Sequence, residues 1–134
     1  MLRTLEGVLG RKRQIAPDDK LECLTALERK VLWLSTWMIH NANHLRPNRD
    51  GLKVGGHQAS SASVATLMTA LYFDVLRPQD RVAVKPHASP VFHAIQYLLG
   101  RQTRDKLERF RGFGGGGGSR LGCLFLFLAS AAPG

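Results

Sequence analysis

Apolar side chains recur every three or four residues in two stretches of this chain, and that spacing constrains the fold more than any other feature. The stretches cover residues 21–38 and 64–75. Because an α-helix turns once in 3.6 residues, such spacing gathers the apolar side chains on one face. The sequence therefore predicts two amphipathic helices. Asp18 and Asp19 favour the N-terminal end of the first, which should fade over residues 44–48.

A short predicted strand follows the second helix and leads into a third. The second helix should begin just after His57 and end at Pro78. Residues 81–85 then alternate polar and apolar side chains, as a strand does. Because a strand feeds directly into a helix here, the expected fold class is α/β, mostly helical in this part of the chain.

Serine residues are expected to cap two of the helices. Ser89, followed by Pro90, has the chemistry of an N-cap and first turn for the third helix, and Gly100 should stop that helix. Ser60 is expected to play the same capping part in the second helix. A short fourth helix is predicted over residues 103–110.

Size, charge and cysteine content limit the classes of protein that fit. The chain has 134 residues, 44% of them apolar, and a net charge of +9 that would suit an acidic partner. Its basic residues are scattered and not interleaved with aromatics, so neither nucleic acid nor a membrane is expected as partner. Its two cysteines allow no disulfide framework, and no apolar stretch reaches the roughly 20 residues that span a bilayer. A cytoplasmic setting is the default.

The two ends of the chain differ in composition from its centre. Residues 1–19 mix charges with glycine and proline and are expected to form an N-terminal arm. Residues 116–134 open within a glycine run and continue as an apolar stretch without a period, which predicts an atypical tail foreign to the fold. The folded unit is expected over residues 20–115.

Two histidine loops are the main candidates for chemistry. His57 and His87 each stand just before a predicted helix, where unpaired N–H groups create a positive potential that suits a phosphate. Gly55 and Gly56 would let the backbone approach an anion closely. A neutral imidazole beside such an anion can donate one hydrogen bond and accept another, as proton transfer requires. Either histidine could equally do no more than end a loop. Two lysines flank the loops: Lys53 and Lys85.

Other residues are weaker candidates. His40 and His44 lie four apart on the first helix, a spacing that can bind zinc, but no third ligand is evident and no metal site is expected. His93 is interpreted as an ordinary helical histidine. Trp33 and Trp37, also four apart, are interpreted as core or interface anchors.

The residues of both histidine loops resemble the thiamine-diphosphate enzymes of the transketolase and pyruvate dehydrogenase type. Residues 55–60 read Gly-Gly-His-Gln-Ala-Ser and resemble the Gly-Gly-His-x-Ala-Ser of the homodimeric decarboxylating component of pyruvate dehydrogenase, and more loosely the Ser-Gly-His-Pro-Gly of transketolases. Residues 84–90, Val-Lys-Pro-His-Ala-Ser-Pro, are similar to that family's Gly-His-x-Ser-Pro. Its leucine-glycine and Leu-x-x-Phe-Arg segments resemble residues 97–100 and 107–111.

The resemblance implies an enzyme that holds thiamine diphosphate and Mg²⁺ at a homodimer interface. Residues 20–115 would then be part of the transketolase-like diphosphate-binding domain. The substrate would be a small 2-oxo acid, decarboxylated oxidatively, or a ketose that gives up two carbons. By matched position, His57 and His87 would be catalytic and would contact the diphosphate or substrate. The implied cofactor-binding set contains Gly55, Gly56, His57, His87 and Ser89.

Two departures from the family pattern bear on activity. Pro86 stands where many members have glycine, which stiffens the second loop. The Gly-Asp-Gly with a later asparagine that binds Mg²⁺ in the family does not occur in this sequence. The chain is therefore expected to be an N-terminal fragment that is inactive alone, with its natural reading frame lost near Gly115. The alternative is a non-catalytic basic helical fragment that binds an acidic partner or a full-length relative.

Overall fold

A computed structural model describes residues 16–47, 51, 53, 56–112 and 129–130. Most of that part is helical. Its α-helices are α1 Pro17–His40, α2 Gln58–Ala70, α3 Ser89–Leu98 and α4 Arg104–Glu108. The π-helical turns Asn41–Leu45 and Leu71–Val75 extend α1 and α2, and the 3₁₀ turn Pro86–Ala88 leads into α3. The predicted helices are thus confirmed, each with a boundary shifted by a few residues.

The long helix α1 is the centre of the fold and packs against both α2 and α3. Its buried face carries Val31 and Met38, both fully buried, at the spacing that the sequence predicted. Leu107 in α4 and Phe110 just after it belong to the same core. Burial of aliphatic and aromatic side chains from three helices and from the segment after α4 is the main source of stability here.

Two side-chain hydrogen bonds tie the end of α1 to the end of α4. Asn41 donates from Nδ2 to the carbonyl oxygen of Glu108 at 2.9 Å, and an Arg46 guanidinium nitrogen donates to that of Phe110 at 2.8 Å. Carbonyl groups at a helix C-terminus have no partner within the helix, so Asn41 satisfies an acceptor that α4 leaves open, and Arg46 binds a carbonyl of the turn that follows α4. The π-helical turn after α1 is therefore held against the end of α4.

The expected strand and helix caps differ from what the structure shows. The strand β1 covers only Arg81–Val82, and its partner is β2, Ala129–Ser130, in antiparallel register. Among the described residues, β1 and β2 form a two-stranded antiparallel sheet, and the parallel sheet of an α/β fold is not seen. Ser89 is the first residue of α3 and not its N-cap, because the preceding 3₁₀ turn makes Ala88 the cap. Neither α2 nor α3 has a capping side-chain hydrogen bond, so the capping predictions for Ser60 and Ser89 were wrong.

Some predictions concern residues outside the described part. Gly55, residues 1–15 and all of the tail except β2 lie there, and the predicted division into arm, folded unit and tail remains a prediction. No helix in the described part is both long and apolar enough to cross a bilayer.

Candidate functional site

The two histidines that the sequence selected lie against each other. The imidazole rings of His57 and His87 are stacked, with centroids 5.4 Å apart and planes inclined by 9°. Both side chains are exposed to solvent. Thirty residues of sequence separate them, so their meeting depends on the packing of α2 against the 3₁₀ turn before α3. The structure therefore brings both predicted loops to one place.

His57 owes its position to an unusual glycine and to the start of α2. It is the N-cap of α2 and has an extended backbone, with φ −114° and ψ 109°. Gly56 before it has φ +114°, a conformation that side chains disfavour. A Cβ at Gly56 would lie 3.1 Å from a side-chain carbon of Ile39. Glycine is thus required here both by the backbone angle and by the close approach to α1.

His87 is held by the 3₁₀ turn Pro86–Ala88. Proline fixes φ near the value this turn needs and occupies its first position. The N–H of Ala88 closes the turn by donating to the carbonyl oxygen of Lys85 at 2.9 Å. The turn then passes directly into α3, where Ser89 is only 5% exposed. Pro86 therefore fits the local backbone, and Ser89 of the same motif is buried, while its predicted role in cofactor binding stays a prediction.

A cleft of about 370 Å³ opens between the end of α1 and the start of α2. Imidazole rings and a lysine dominate its polar lining, and no carboxylate belongs to that lining in the described part of the chain. Because cations and neutral donors face one another there, the cleft favours an anion. The residues that line it are Ile39, His40, Asn43, His44, Lys53, Gly56, His57, Gln58 and Ala59.

His40 and His44 were predicted only as a weak zinc pair. Their rings lie 5.0 Å apart, centroid to centroid. Over the described residues, no three histidine, cysteine or carboxylate side chains come together as a metal site would need. The contribution of this pair to the cleft was missed. The available signal was their position at the last turn of α1, directly before the loop that leads to His57.

His93 is a structural histidine. It is 7% exposed, its ring stacks edge-on against those of Phe92 and Phe110, and Nδ1 lies 3.0 Å from Oε1 of Gln102. Desolvation by burial lowers the pKa of His93, and the hydrogen bond to Gln102 partly opposes that effect. The neutral imidazole is therefore the form that the folded protein favours.

A second surface feature is an apolar groove between α1 and α3. It comprises two adjoining clefts of about 340 and 320 Å³ that share Trp33, Leu34 and Tyr97. Trp33 is 64% exposed and stacks on Trp37 with centroids 6.3 Å apart. Both tryptophans thus line a surface groove, and their role as interface anchors stays a prediction.

Comparisons with known proteins give one consistent result. The chain is 36% identical over 87 residues to the pyruvate dehydrogenase E1 component of Mycolicibacterium smegmatis, which is 60% of this chain and 9% of that protein. It is 40% identical over 73 residues to the Cupriavidus necator protein of the same name, 50% of this chain and 8% of the relative. The Escherichia coli protein is 33% identical over 93 residues, 63% and 10% of the two chains.

These matches cover about a tenth of the length of each relative. No family model matches the chain, and no solved structure does. The resemblance predicted from the two histidine motifs is confirmed by the curated relatives. Over 50 to 63% of its length, this chain is similar to pyruvate dehydrogenase E1 components.

Proposed function

We propose that this chain carries the paired-histidine part of a thiamine-diphosphate-dependent enzyme that decarboxylates a 2-oxo acid. The stacking of His57 on His87 is the observation that carries this proposal, because two loops that match the family motifs meet at one place. The proposal extends to a cytoplasmic protein that acts as a homodimer and takes a small-molecule substrate. Two-carbon transfer from a ketose, as in transketolases, is the competing reaction.

The described residues fit the anionic end of the cofactor. Gly56 lets the backbone pass close to Ile39, where a Cβ would lie 3.1 Å from a side-chain carbon of that residue. The first turn of α2 has no capping side chain, so its N–H groups are available to an oxyanion. Lys53 lies in the same cleft as a source of positive charge. These groups suit a diphosphate, with Gly55 as the neighbouring position in the motif.

The metal fits less well. Mg²⁺ prefers carboxylate, carbonyl and water oxygens, and the described residues contain no group of three histidine, cysteine or carboxylate side chains that could hold a metal ion. A cluster of carboxylate ligands for Mg²⁺ would therefore have to come from residues other than those described here. When bound, thiamine diphosphate supplies a carbon nucleophile that can attack the carbonyl of a 2-oxo acid.

The protein's own contribution would be to bind and to move protons. His57, at the N-cap of α2, is placed to donate a hydrogen bond to an oxyanion at that helix start. His87 lies behind it, ring on ring, and can accept or release a proton at a nitrogen that faces solvent. The stack also keeps both rings in one orientation, which a positioned acid or base requires.

The proposal is tested in a chimera in which the Escherichia coli relative supplies the remainder of the enzyme. Residues 16–112 of this chain replace the corresponding segment of that relative, and the chimera is assayed with pyruvate and with a ketose phosphate. We expect turnover of pyruvate that depends on thiamine diphosphate and Mg²⁺. The His87→Ala variant should reduce kcat by about 10²- to 10⁴-fold, the usual contribution of a positioned acid or base. The matched control is Lys85→Ala, which replaces an exposed residue of the same loop. This variant should retain most activity.

Unchanged turnover in His87→Ala would remove this residue from the mechanism. Turnover of the ketose phosphate in place of pyruvate would favour the transketolase reaction. If the chimera folds and has neither activity, the enzymatic proposal fails.

A second, non-catalytic function is supported by the groove between α1 and α3. Arg29 and Lys30 line its edge, and the chain as a whole carries a net charge of +9. An acidic protein segment with apolar anchors would complement such a surface. Binding to such a segment that weakens steeply with salt, in a chimera without turnover, would favour this alternative.

A further inference from the structure

We propose that an apolar pocket beside His87 holds the side chain of the substrate, and that the preferred substrate is a 2-oxo acid whose alkyl group is larger than the methyl group of pyruvate. The inference rests on the proposed function, in which His87 accepts or releases a proton. It adds a binding surface formed mainly by residues of α2 that lie outside both sequence motifs.

The stacked histidine pair borders two cavities of different character. His57 lines the polar cleft at the end of α1. His87 lines a second cavity, a pocket of about 320 Å³ that opens between α2, residues 83–84 and the 3₁₀ turn Pro86–Ala88. The two ring centroids are 5.4 Å apart. A ligand at the pair therefore has a polar cavity and an apolar one within reach.

Apolar side chains form most of this pocket. Val64, Leu67 and Met68 line it from α2, and Ala83 and Val84 line it from the opposite segment. Met68 and Val84 are buried members of the core, so this part of the wall is fixed by packing. Leu67 is 67% exposed and presents apolar surface that the described part of the chain leaves open to water. An alkyl group bound there would cover that surface, which favours binding.

The lining changes from polar to apolar along α2. Ser60 and Ser63 line the pocket close to the start of the helix, where His57 is the N-cap, and Leu67 lines it two turns further along. At a rise of about 1.5 Å per residue, the distance from Ser60 to Leu67 along the helix axis is about 10 Å. A ligand with a polar group at the histidine pair and an alkyl group that extends toward Leu67 therefore matches the pocket.

The size of the pocket favours an alkyl group larger than methyl. A water molecule, which is similar in size to a methyl group, occupies about 30 Å³ in the liquid, whereas the pocket measures about 320 Å³. A methyl group would thus fill a small part of the space, and a branched alkyl group would fill more of it and contact more of the walls. Within the described residues no carboxylate lines the pocket, so the acid group of such a substrate meets no like charge there.

The experiment compares two acids in NMR titrations of the complete 134-residue chain. Pyruvate and the 2-oxo analogue of leucine share the 2-oxo acid group and differ only in the alkyl group, which is methyl in the first and isobutyl in the second. Each fully buried methylene raises affinity about fourfold, and a pocket open to solvent should give about half of that free energy, so the additional three carbons predict a Kd about eightfold lower for the isobutyl acid. The His87 ring signals and the Leu67 methyl signals should shift on binding.

The decisive variant is Leu67→Ser, which removes apolar surface from the pocket. It should reduce the preference for the isobutyl acid to less than about threefold and change the affinity for pyruvate little. The matched control is Val75→Ser. Val75 is also exposed, lies in the π-helical turn that extends α2, and does not line the pocket, so this variant should keep the preference. Because the preference compares two ligands on one protein, a general loss of stability would not change it.

Equal affinities for the two acids in the unmodified chain would overturn the inference, as would an equal loss of preference in Leu67→Ser and Val75→Ser. The measurement is independent of turnover. If the chimera turns over pyruvate while the chain shows no preference, the proposed function stands and the inference fails. If the preference is present while the chimera has no activity, the pocket is a binding site for alkyl 2-oxo acids and only the enzymatic proposal fails.

Discussion

The helix α1 and the π-helical turn that extends it carry two ring pairs at the same spacing, and the pairs line two different surfaces. Trp33 and Trp37 stack at 6.3 Å in the apolar groove, whereas His40 and His44 lie 5.0 Å apart in the polar cleft. Within each pair the two residues are four positions apart, so their side chains lie about one helical turn apart on the same face. Helical spacing alone therefore does not decide whether a ring pair lines an apolar or a polar surface. The chemistry of the rings and the backbone between them does.

The surroundings of each pair complete the contrast. The groove adds Leu34 and Tyr97 from two helices, so it offers a continuous apolar surface of the kind that proteins cover with another chain. The cleft adds Lys53 and the start of α2, and its polar groups share the lining with apolar ones such as Ile39. One helix, with the turn that extends it, thus borders an apolar groove with one half and a polar cleft with the other.

The largest effect is expected in a test of whether the groove and the cleft depend on the same core. Met38 lies between the two ring pairs on α1 and is fully buried. Met38→Ala should reduce the free energy of unfolding by about 2–5 kcal/mol, the usual cost of removing a large side chain from a packed core. Urea unfolding followed by tryptophan fluorescence reports on the groove, and histidine NMR signals report on the cleft. Both midpoints should fall together.

The control for Met38 is Leu21→Ala. Leu21 is 65% exposed on the same helix, so its truncation should change stability by less than about 0.5 kcal/mol. Separate midpoints for the two probes in Met38→Ala would show that the groove and the cleft are independent units, and the comparison between them would lose its basis.

A smaller effect should be confined to the cleft. Gly56→Ala places a Cβ 3.1 Å from Ile39 at φ +114°, and we expect a loss of about 1–3 kcal/mol with displaced His57 signals. Gly51→Ala is the matched control, since Gly51 also has a positive φ, +68°, but no atom within 4 Å of its added Cβ. The difference between the two variants combines the contact with α1 and the less favourable φ of Gly56. Equal losses would mean that this contact does not shape the cleft.

The smallest effect concerns pH and distinguishes the buried histidine from the exposed ones. Burial lowers the pKa of His93 below the 6.5 of an unperturbed histidine. Below pH 6.5 the unfolded chain therefore binds a proton that the folded chain resists, so stability is complete above that pH and falls as the pH is lowered. The slope from this one group is at most about 1.4 kcal/mol per pH unit.

His93→Gln keeps a polar group near Gln102 and cannot titrate, so the part of the pH dependence due to His93 should disappear. Thermal unfolding between about pH 5 and pH 7.5 measures it. An unchanged pH dependence in this variant would contradict the assignment of His93 as a neutral buried residue.

Much of the local structure was predictable because its causes are local. The apolar spacing of α1 and α2 and the proline and glycine signals around α3 depend on residues a few positions apart. The placement of both histidine loops before helices followed from the same signals. The capping predictions for Ser60 and Ser89 were wrong for a local reason as well. A 3₁₀ turn in front of α3 moved the cap to Ala88, and α2 begins with no capping side chain.

What could not be predicted depends on contacts between distant parts of the chain. The stacking of His57 on His87 requires α2 and α3 to pack in one particular way. The place of His40 and His44 beside them depends on a π-helical turn that has no distinct sequence pattern. The antiparallel pairing of β1 with residues 129–130 is likewise a long-range event. Periodicity in one segment contains no information about such partners.

The two hydrogen bonds between the end of α1 and the end of α4 affect when the protein can fold during its synthesis. Asn41 and Arg46 bind carbonyl groups that lie 67 and 64 residues further along the chain. A ribosome that adds about 5–20 residues per second needs about 3–13 seconds to cover such a separation. Closing the loop afterwards costs about 4 kcal/mol of chain entropy, so these two contacts form after α1 and α2 are already available to pack against each other.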